Sequence, residues 1–271
     1  MDFTSAQVFT ELILNVDVFM VVFVRIMAFF IVLPVLSGHN IPLQARLIFS
    51  LGIALLAFVA NAVTLPPYNF TILGFAILLM QEFLVGLILG IVVMIILNIF
   101  HFVGQLVDFQ MGFGMVNVMD PFGLQQTPIT GNFYFLIVSL FFMTSGAMLV
   151  VVDVFFESFH YIGLGQAHIL GNPDIASIFL NMMSRYFNLG LHIALPIIGT
   201  VLIVDVVMGI LVKAVPQMNV FVIGIPIKVM VGLIVVYVTM PFLNFIFETI
   251  VDDVVMNMVR VIQEMVLVVY E

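Results

Sequence analysis

The sequence predicts an all-α, polytopic membrane protein of long kinked helical hairpins. Three observations predict that class. Apolar residues make up 64% of the 271 residues and charged residues only 8%, where a soluble domain carries about a quarter charged. The apolar runs are long and continuous, whereas a membrane β-barrel would show short alternating segments. Between the runs stand clusters of proline, glycine and polar residues, which punctuate helices.

Apolar helices are expected near 8–35, 43–64, 69–107, 132–160, 175–213 and 228–262, with breaks at Ser37–Pro42, Leu65–Pro67, Gln110–Thr130, Gly163–Pro173 and Pro216–Pro226. Asp2 precedes the first run and Glu11 lies at its start, where a cleavable signal peptide would carry Lys or Arg, so it is not read as one. The run 69–107 holds no proline. As one helix it reaches ~58 Å at 1.5 Å per residue, nearly twice the ~30 Å hydrocarbon core. The runs 175–213 and 228–262 are also over-long, and Pro196 and Pro241 are placed to kink them. Each long run is either two tight spans or one helix projecting beyond the bilayer. A projecting apolar helix needs other protein around it. Arg46, Lys213 and Lys228 lie at or near two turns that share one side if each run is a single span. The positive-inside tendency puts that side in the cytoplasm.

Charges inside the apolar runs are few. An unpaired Arg25 at that depth costs ~2.5–3.5 kcal/mol on insertion scales. Asp17 sits about 80° around the helix from it at 100° per residue, so Arg25 is expected to pair with another helix or subunit. Glu82 and Asp205 are lone acids in other runs, and Asp153 and Glu157 share one face near His160. Buried structural pairing is the favoured reading of each, with a proton or ion relay as the alternative.

Several function classes are excluded or unsupported. The net charge of −9 and the lack of a basic cluster argue against nucleic acid. Without cysteine there is no disulfide or thiolate metal site. No zincin, nucleophile-elbow or Walker pattern is present. His39, His101, His160, His168 and His192 lack ligand spacing, and His101 reads as a satisfied core histidine. Gly86-Leu-Ile-Leu-Gly90 is a small-xxx-small motif that permits close helix contact.

The break from Gln110 to Pro121 stands apart. Gly112 and Gly114 disfavour a stable helix, and Pro121 disfavours helical geometry at Asp120. Yet Met111, Phe113, Met115, Val116, Val118 and Met119 make the segment apolar. Non-helical backbone at membrane depth must be sheltered by protein or line a cavity. Methionine is soft enough to seal a changing gap. The segment is therefore either an apolar connector tucked against its neighbours or a movable plug in a conduit.

Three sets of residues then carry a resemblance. The first is Arg25, Pro34, Pro42 and Arg46. The second is Gly104-Gln-Leu-Val-Asp108, Gln110-Met-Gly-Phe113 and Asp120-Pro121. The third is Asp205, Gly209, Lys213, Pro216-Gln-Met-Asn-Val-Phe221, Gly224, Pro226 and Lys228. Together they resemble the FliR family of flagellar biosynthesis and type III secretion export-gate proteins, over most of the chain. The resemblance implies a non-enzymatic, multi-pass subunit of the flagellar basal body in the bacterial inner membrane, without a cofactor. It implies assembly with FliP and FliQ homologues into a helical conical complex set in membrane lipid. FlhB and FlhA homologues would be further partners, and unfolded flagellar subunits the export substrates.

The family's architecture implies a FliP-like part at 1–188 fused to a FliQ-like hairpin and C-terminal helix at 189–271. The hairpin turn falls on Pro216, Gln217, Met218, Asn219, Val220 and Phe221. The family's plug loop falls on Gln110, Met111, Gly112, Phe113, Gly114, Met115, Val116, Asn117, Val118, Met119, Asp120 and Pro121. Arg25, Arg46, Glu82, Asp205, Lys213 and Lys228 become structural or subunit-interface charges. Two other readings remain. One is the virulence-secretion homologue, which shares fold and mechanism. The other is an ion or small-molecule transporter using Glu82, Asp153 or Asp205, which would work alone, whereas a gate subunit would purify with its partners.

Overall fold

A computed structural model describes residues 15–37, 41–59, 71–113, 128–169, 172–217 and 219–266. The protein is all-α and polytopic. Among the described residues the elements are α1 (Val16–Val32), α2 (Pro34–Ser37), α3 (Leu43–Val59), α4 (Ile72–Leu97), α5 (Ile99–Met111), α6 (Ile129–Thr144), α7 (Ala147–Tyr161), α8 (Pro173–Ala214) and α9 (Val220–Val266). Three stretches of the described residues are long and apolar enough to cross a membrane: Ile72–Met111, Pro173–Ala214 and Val222–Val266, or four if α6 and α7 count as one broken span.

The over-long runs are continuous rather than folded into tight pairs of spans. α8 has 42 residues and α9 has 47, which at 1.5 Å per residue gives ~63 and ~70 Å. Proline does not end them. Pro196 lies inside α8, and Pro226 and Pro241 lie inside α9. The break expected over Pro216–Pro226 is narrower: Pro216 and Gln217 form a turn, and the helix resumes at Val220. Val220 and Phe221 thus lie in the first turn of α9, while Met218 lies outside the described residues. A proline removes one backbone donor. Where no water can take up the freed carbonyls, continuing the helix satisfies all the other groups.

Other breaks were not expected. Pro34 follows Leu33, which takes φ −58° and ψ 117° and ends α1, because the residue before proline is pushed out of the helical region. Asn98 interrupts the run 69–107 with only a slight departure, remaining near helical geometry. The run 132–160 is broken at Ser145–Gly146, where Gly146 adopts φ +80°. That left-handed conformation suits a residue without a Cβ.

The chain packs into two compact units. The first comprises residues 1–96, 146–181 and 252–271, and the second residues 97–145 and 182–251. In the first, Gly86 and Gly90 of α4 receive the backbone of α1. A Cβ on Gly86 would fall on the carbonyl of Arg25, and one on Gly90 would stand 3.0 Å from the carbonyl oxygen of Phe29. The Phe29 ring stacks on Phe155 of α7 at 4.2 Å. In the second unit, Gly104 of α5 meets the backbone of Gly131 of α6, and Gly190 of α8 lies against Ile99 and Phe102. Glycine at such crossings lets helix backbones approach closely, which is the source of packing energy in an apolar medium.

Candidate functional site

The segment at Gln110–Pro121 begins on a defined stem. α5 ends at Met111, and Gly112 takes φ +90°. The Gly112 N–H donates to the Phe109 carbonyl at 3.2 Å, and the Phe113 N–H donates to the Asp108 carbonyl at 3.0 Å. This pair of bonds is a Schellman ending, which satisfies carbonyls that the helix end would leave open. Gly112 is required there because its backbone is left-handed. Gly114 to Pro121 lie outside the described residues, so the stem alone, Gln110 to Phe113, carries geometry.

The stem is tied to α8 and α9. Gln110 Nε2 donates to Asp205 Oδ2 at 3.4 Å. Asp205 also forms an ion pair with Lys228. The sequence marks these three residues separately, and the fold makes them one bridge across three helices. Asp205 and Lys228 are half-buried, at 35% and 24% side-chain exposure, so water softens the attraction. Met111 is fully buried. Its thioether lies where a Cβ on Gly232 of α9 would have to be. Met111 is thus a packing anchor at the root of the segment.

The start of α6, beyond the segment, is tied to the same stem. The Asp108 carboxylate accepts from the Thr130 backbone N–H at 3.1 and 3.2 Å and from the Thr130 hydroxyl. One turn earlier, Gly104 and Gly131 bring the two helix backbones together. His101 of α5 lies beside this junction, with Nε2 3.3 Å from Asn132 Oδ1 and its ring 4.4 Å from Phe135. The two ends of the connection between α5 and α6 are therefore fixed to each other.

A second polar centre lies within the first unit. Arg25 and Glu82 are both fully buried, with Nε to Oε2 at 2.5 Å. The guanidinium also donates to the carbonyls of Ser158 and Ile162 at 3.3 Å and stands 4.3 Å from the Phe159 ring centre. Glu82 Oε1 accepts the Gly165 N–H at 2.7 Å. Arg25 thereby binds the carbonyl end of α7, where a cation is favoured by the helix dipole. Glu82 holds the chain that follows α7. Both charges are consumed by structure, which disfavours a relay role for Glu82.

The remaining sequence candidates are dispersed. Arg46 donates to the Ile41 carbonyl at 3.0 Å near the start of α3. Lys213 is exposed in the last turn of α8. Pro216 and Gln217 are exposed in the α8–α9 turn. Asp153, Glu157 and His160 are exposed on α7. Among the described residues no group of three His, Cys, Asp or Glu side chains could hold a metal ion. In the sequence Asp108 stands in a motif without a role of its own, Thr130 only bounds a break, and Gly131 carries no mark. The available signal was Pro128, which stands ahead of α6 at its cap position and makes no side-chain capping bond, so the first N–H groups of α6 need a donor-accepting side chain from elsewhere.

The comparisons with known proteins agree with one another. The family model described as bacterial export proteins, family 1, matches residues 16–254. The flagellar biosynthetic protein FliR of Bacillus subtilis (strain 168) is 32% identical over 223 residues, covering 82% of this chain and 85% of that protein. The protein of the same name from Escherichia coli (strain K12) is 26% identical over 249 residues, covering 90% and 92%. The Yop proteins translocation protein T of Yersinia pestis is 26% identical over 218 residues, covering 79% and 82%.

Proposed function

The chain belongs to the FliR family of bacterial export proteins, and from that premise we propose that it is a subunit of the flagellar type III protein-export gate. In this reading it assembles with FliP and FliQ homologues in the bacterial inner membrane, with FlhB and FlhA homologues as further partners. The complex passes unfolded flagellar subunits. Residues 1–188 supply the FliP-like part, residues 189–271 the FliQ-like hairpin, and Gln110–Pro121 the plug. The protein does no covalent chemistry in this role.

The observation that carries the reading is the stem. A plug must be held at its root while its tip yields, and the root here is fixed by the Schellman ending at Gly112, by Met111 under α9 and by Gln110 on Asp205. Beyond the root, Met115 and Met119 supply side chains that can close around nothing and reopen around any sequence. The variant Met115→Ser/Met119→Ser is expected to raise ion or small-solute leak through the reconstituted complex at unchanged complex yield. Met111→Ser behaves differently, because it empties a packed site at a cost of about 2–5 kcal/mol, and lowers yield. If the double variant loses yield without added leak, the segment is a connector.

The surfaces of α8 and α9 support a dependence on partners. Only 17% of the apolar window of each is buried within the chain, against 56% for Ile72–Met111. Those faces require lipid or other chains. Expressed alone, the protein is expected to aggregate or be degraded, and co-expression with FliP and FliQ homologues to restore it. A long-lived monodisperse monomer in mild detergent counts against the gate assembly.

The similarity to the Yersinia translocation protein supports a second reading, the virulence-secretion counterpart. Complementation separates the two: a flagellar subunit restores motility to a strain lacking its own FliR-type protein, and a virulence counterpart restores effector secretion instead.

A further inference from the structure

We propose that Asp108 is a positioning residue that holds the two ends of the α5–α6 connection at one separation. The inference rests on the plug reading for its functional consequence, but its geometric content stands on the described residues alone. Asp108 lies one turn before the end of α5, and Thr130 is the second residue of α6. Asp108 is 6% exposed and Thr130 3%. Both carboxylate oxygens face the Thr130 N–H, and the hydroxyl of Thr130 donates to Oδ1.

The bond does two things at once. Helix starts need a side-chain oxygen to accept from their first N–H groups, and that oxygen normally comes from the residue just before the helix. Here Pro128 holds that place, and its side chain has no acceptor. Asp108 supplies the cap from another helix, and its negative charge suits the positive end of α6. Among the described residues no cation pairs with it. A cap delivered from α5 is also a tether between α5 and α6. The Gly104–Gly131 contact aligns the helix bodies, and Asp108 fixes their last and first turns, where the chain enters and leaves the connection.

Capping and tethering separate experimentally. Because the chain has no cysteine, spin labels on Phe113→Cys and Ile129→Cys report the end-to-end separation in the assembled complex. The parent is expected to give one narrow distance. Asp108→Ala is expected to broaden and lengthen it, the tethered population falling roughly tenfold, as loss of a charge-assisted hydrogen bond implies. Adding Pro128→Asp returns a local cap to α6, so complex yield recovers while the broad distance persists. Asp108→Asn, which keeps one acceptor, gives a distribution near the parent's. A narrow, parent-like distance in Asp108→Ala/Pro128→Asp overturns the proposal and reduces Asp108 to a capping residue. If that double variant does not assemble, Asp108→Ala alone decides by the same measurement, a narrow, parent-like distance overturning the proposal. Leak measured on the unlabelled variants tests the other reading separately: a broad distance with parent-level leak upholds the tether and removes the plug.

Discussion

Arg25→Ala is expected to abolish recovery of the assembled protein. The guanidinium is fully buried, paired with Glu82 and bonded to the carbonyls of Ser158 and Ile162. Its removal leaves a carboxylate with no partner charge and the end of α7 with open carbonyls, and breaking such a pair costs about 3–5 kcal/mol. That is a large share of a typical stability of about 5–15 kcal/mol. Arg260→Ala is the comparison. Arg260 is exposed on α9 with its guanidinium 3.4 Å from the Met256 sulfur, and surface changes of that kind stay within about 0.5 kcal/mol. Complex yield by affinity purification checks both. Replacing the pair together, as Arg25→Met/Glu82→Leu, is expected to recover much of the loss, since an apolar pair of similar volume often stands in for a buried ion pair. Equal yields from Arg25→Ala and Arg260→Ala would show that the buried pair holds nothing together.

Gly86→Ala is the second large effect, and its cause is steric. The new methyl falls on the backbone carbonyl of Arg25, with the Ala28 Cβ 3.1 Å away. A side chain could rotate aside, but a helix carbonyl cannot, so α1 and α4 must separate along their contact. The loss is expected to exceed the about 1–3 kcal/mol typical of overpacking against side chains. Gly90→Ala, whose methyl would stand 3.0 Å from the Phe29 oxygen, should be milder. Gly52→Ala meets nothing within 4 Å and should gain up to about 1 kcal/mol from helix propensity. Thermal unfolding of the three variants in the co-purified complex should rank them in that order. A Gly86→Ala complex as stable as the parent would refute the close crossing.

What the sequence revealed of this molecule follows the range of its signals. Apolar run length is a local property, so the class and most helix positions were readable. The long runs were readable as over-long but not as continuous, because Pro226 looks the same in sequence whether it ends a helix or sits inside one. Gly146 was missed for the converse reason: a lone glycine in an apolar run carries no mark of the left-handed backbone it adopts. Arg25, Glu82, Asp205 and Lys228 were each conspicuous as charges among apolar neighbours. Their pairing was not, since it depends on which helices lie side by side. Asp108 was hidden more deeply. Its role answers a need at Pro128, 20 positions further on in the chain, and only the packing of α5 on α6 connects the two.

The first compact unit is gathered from three distant pieces of chain, the last beginning at Asp252. This sets an order in time. At the ribosomal rate of about 5–20 residues per second, Glu82 follows Arg25 within seconds, and the Ile162 carbonyl several seconds later. The closing piece, whose Met265 carbonyl accepts the His168 N–H, leaves the ribosome on the order of 10–50 s after Arg25. Until Ile162 has emerged the nascent chain carries a half-satisfied guanidinium, and until the closing piece emerges the helix cluster lacks its final wall. Early insertion of Glu82 beside Arg25 lowers the charge penalty, but the unit cannot close before synthesis is nearly finished. A chain cut short before Asp252 is therefore expected to lack the wall that closes the first unit, and to be lost from the membrane faster than the full chain in a pulse-chase measurement.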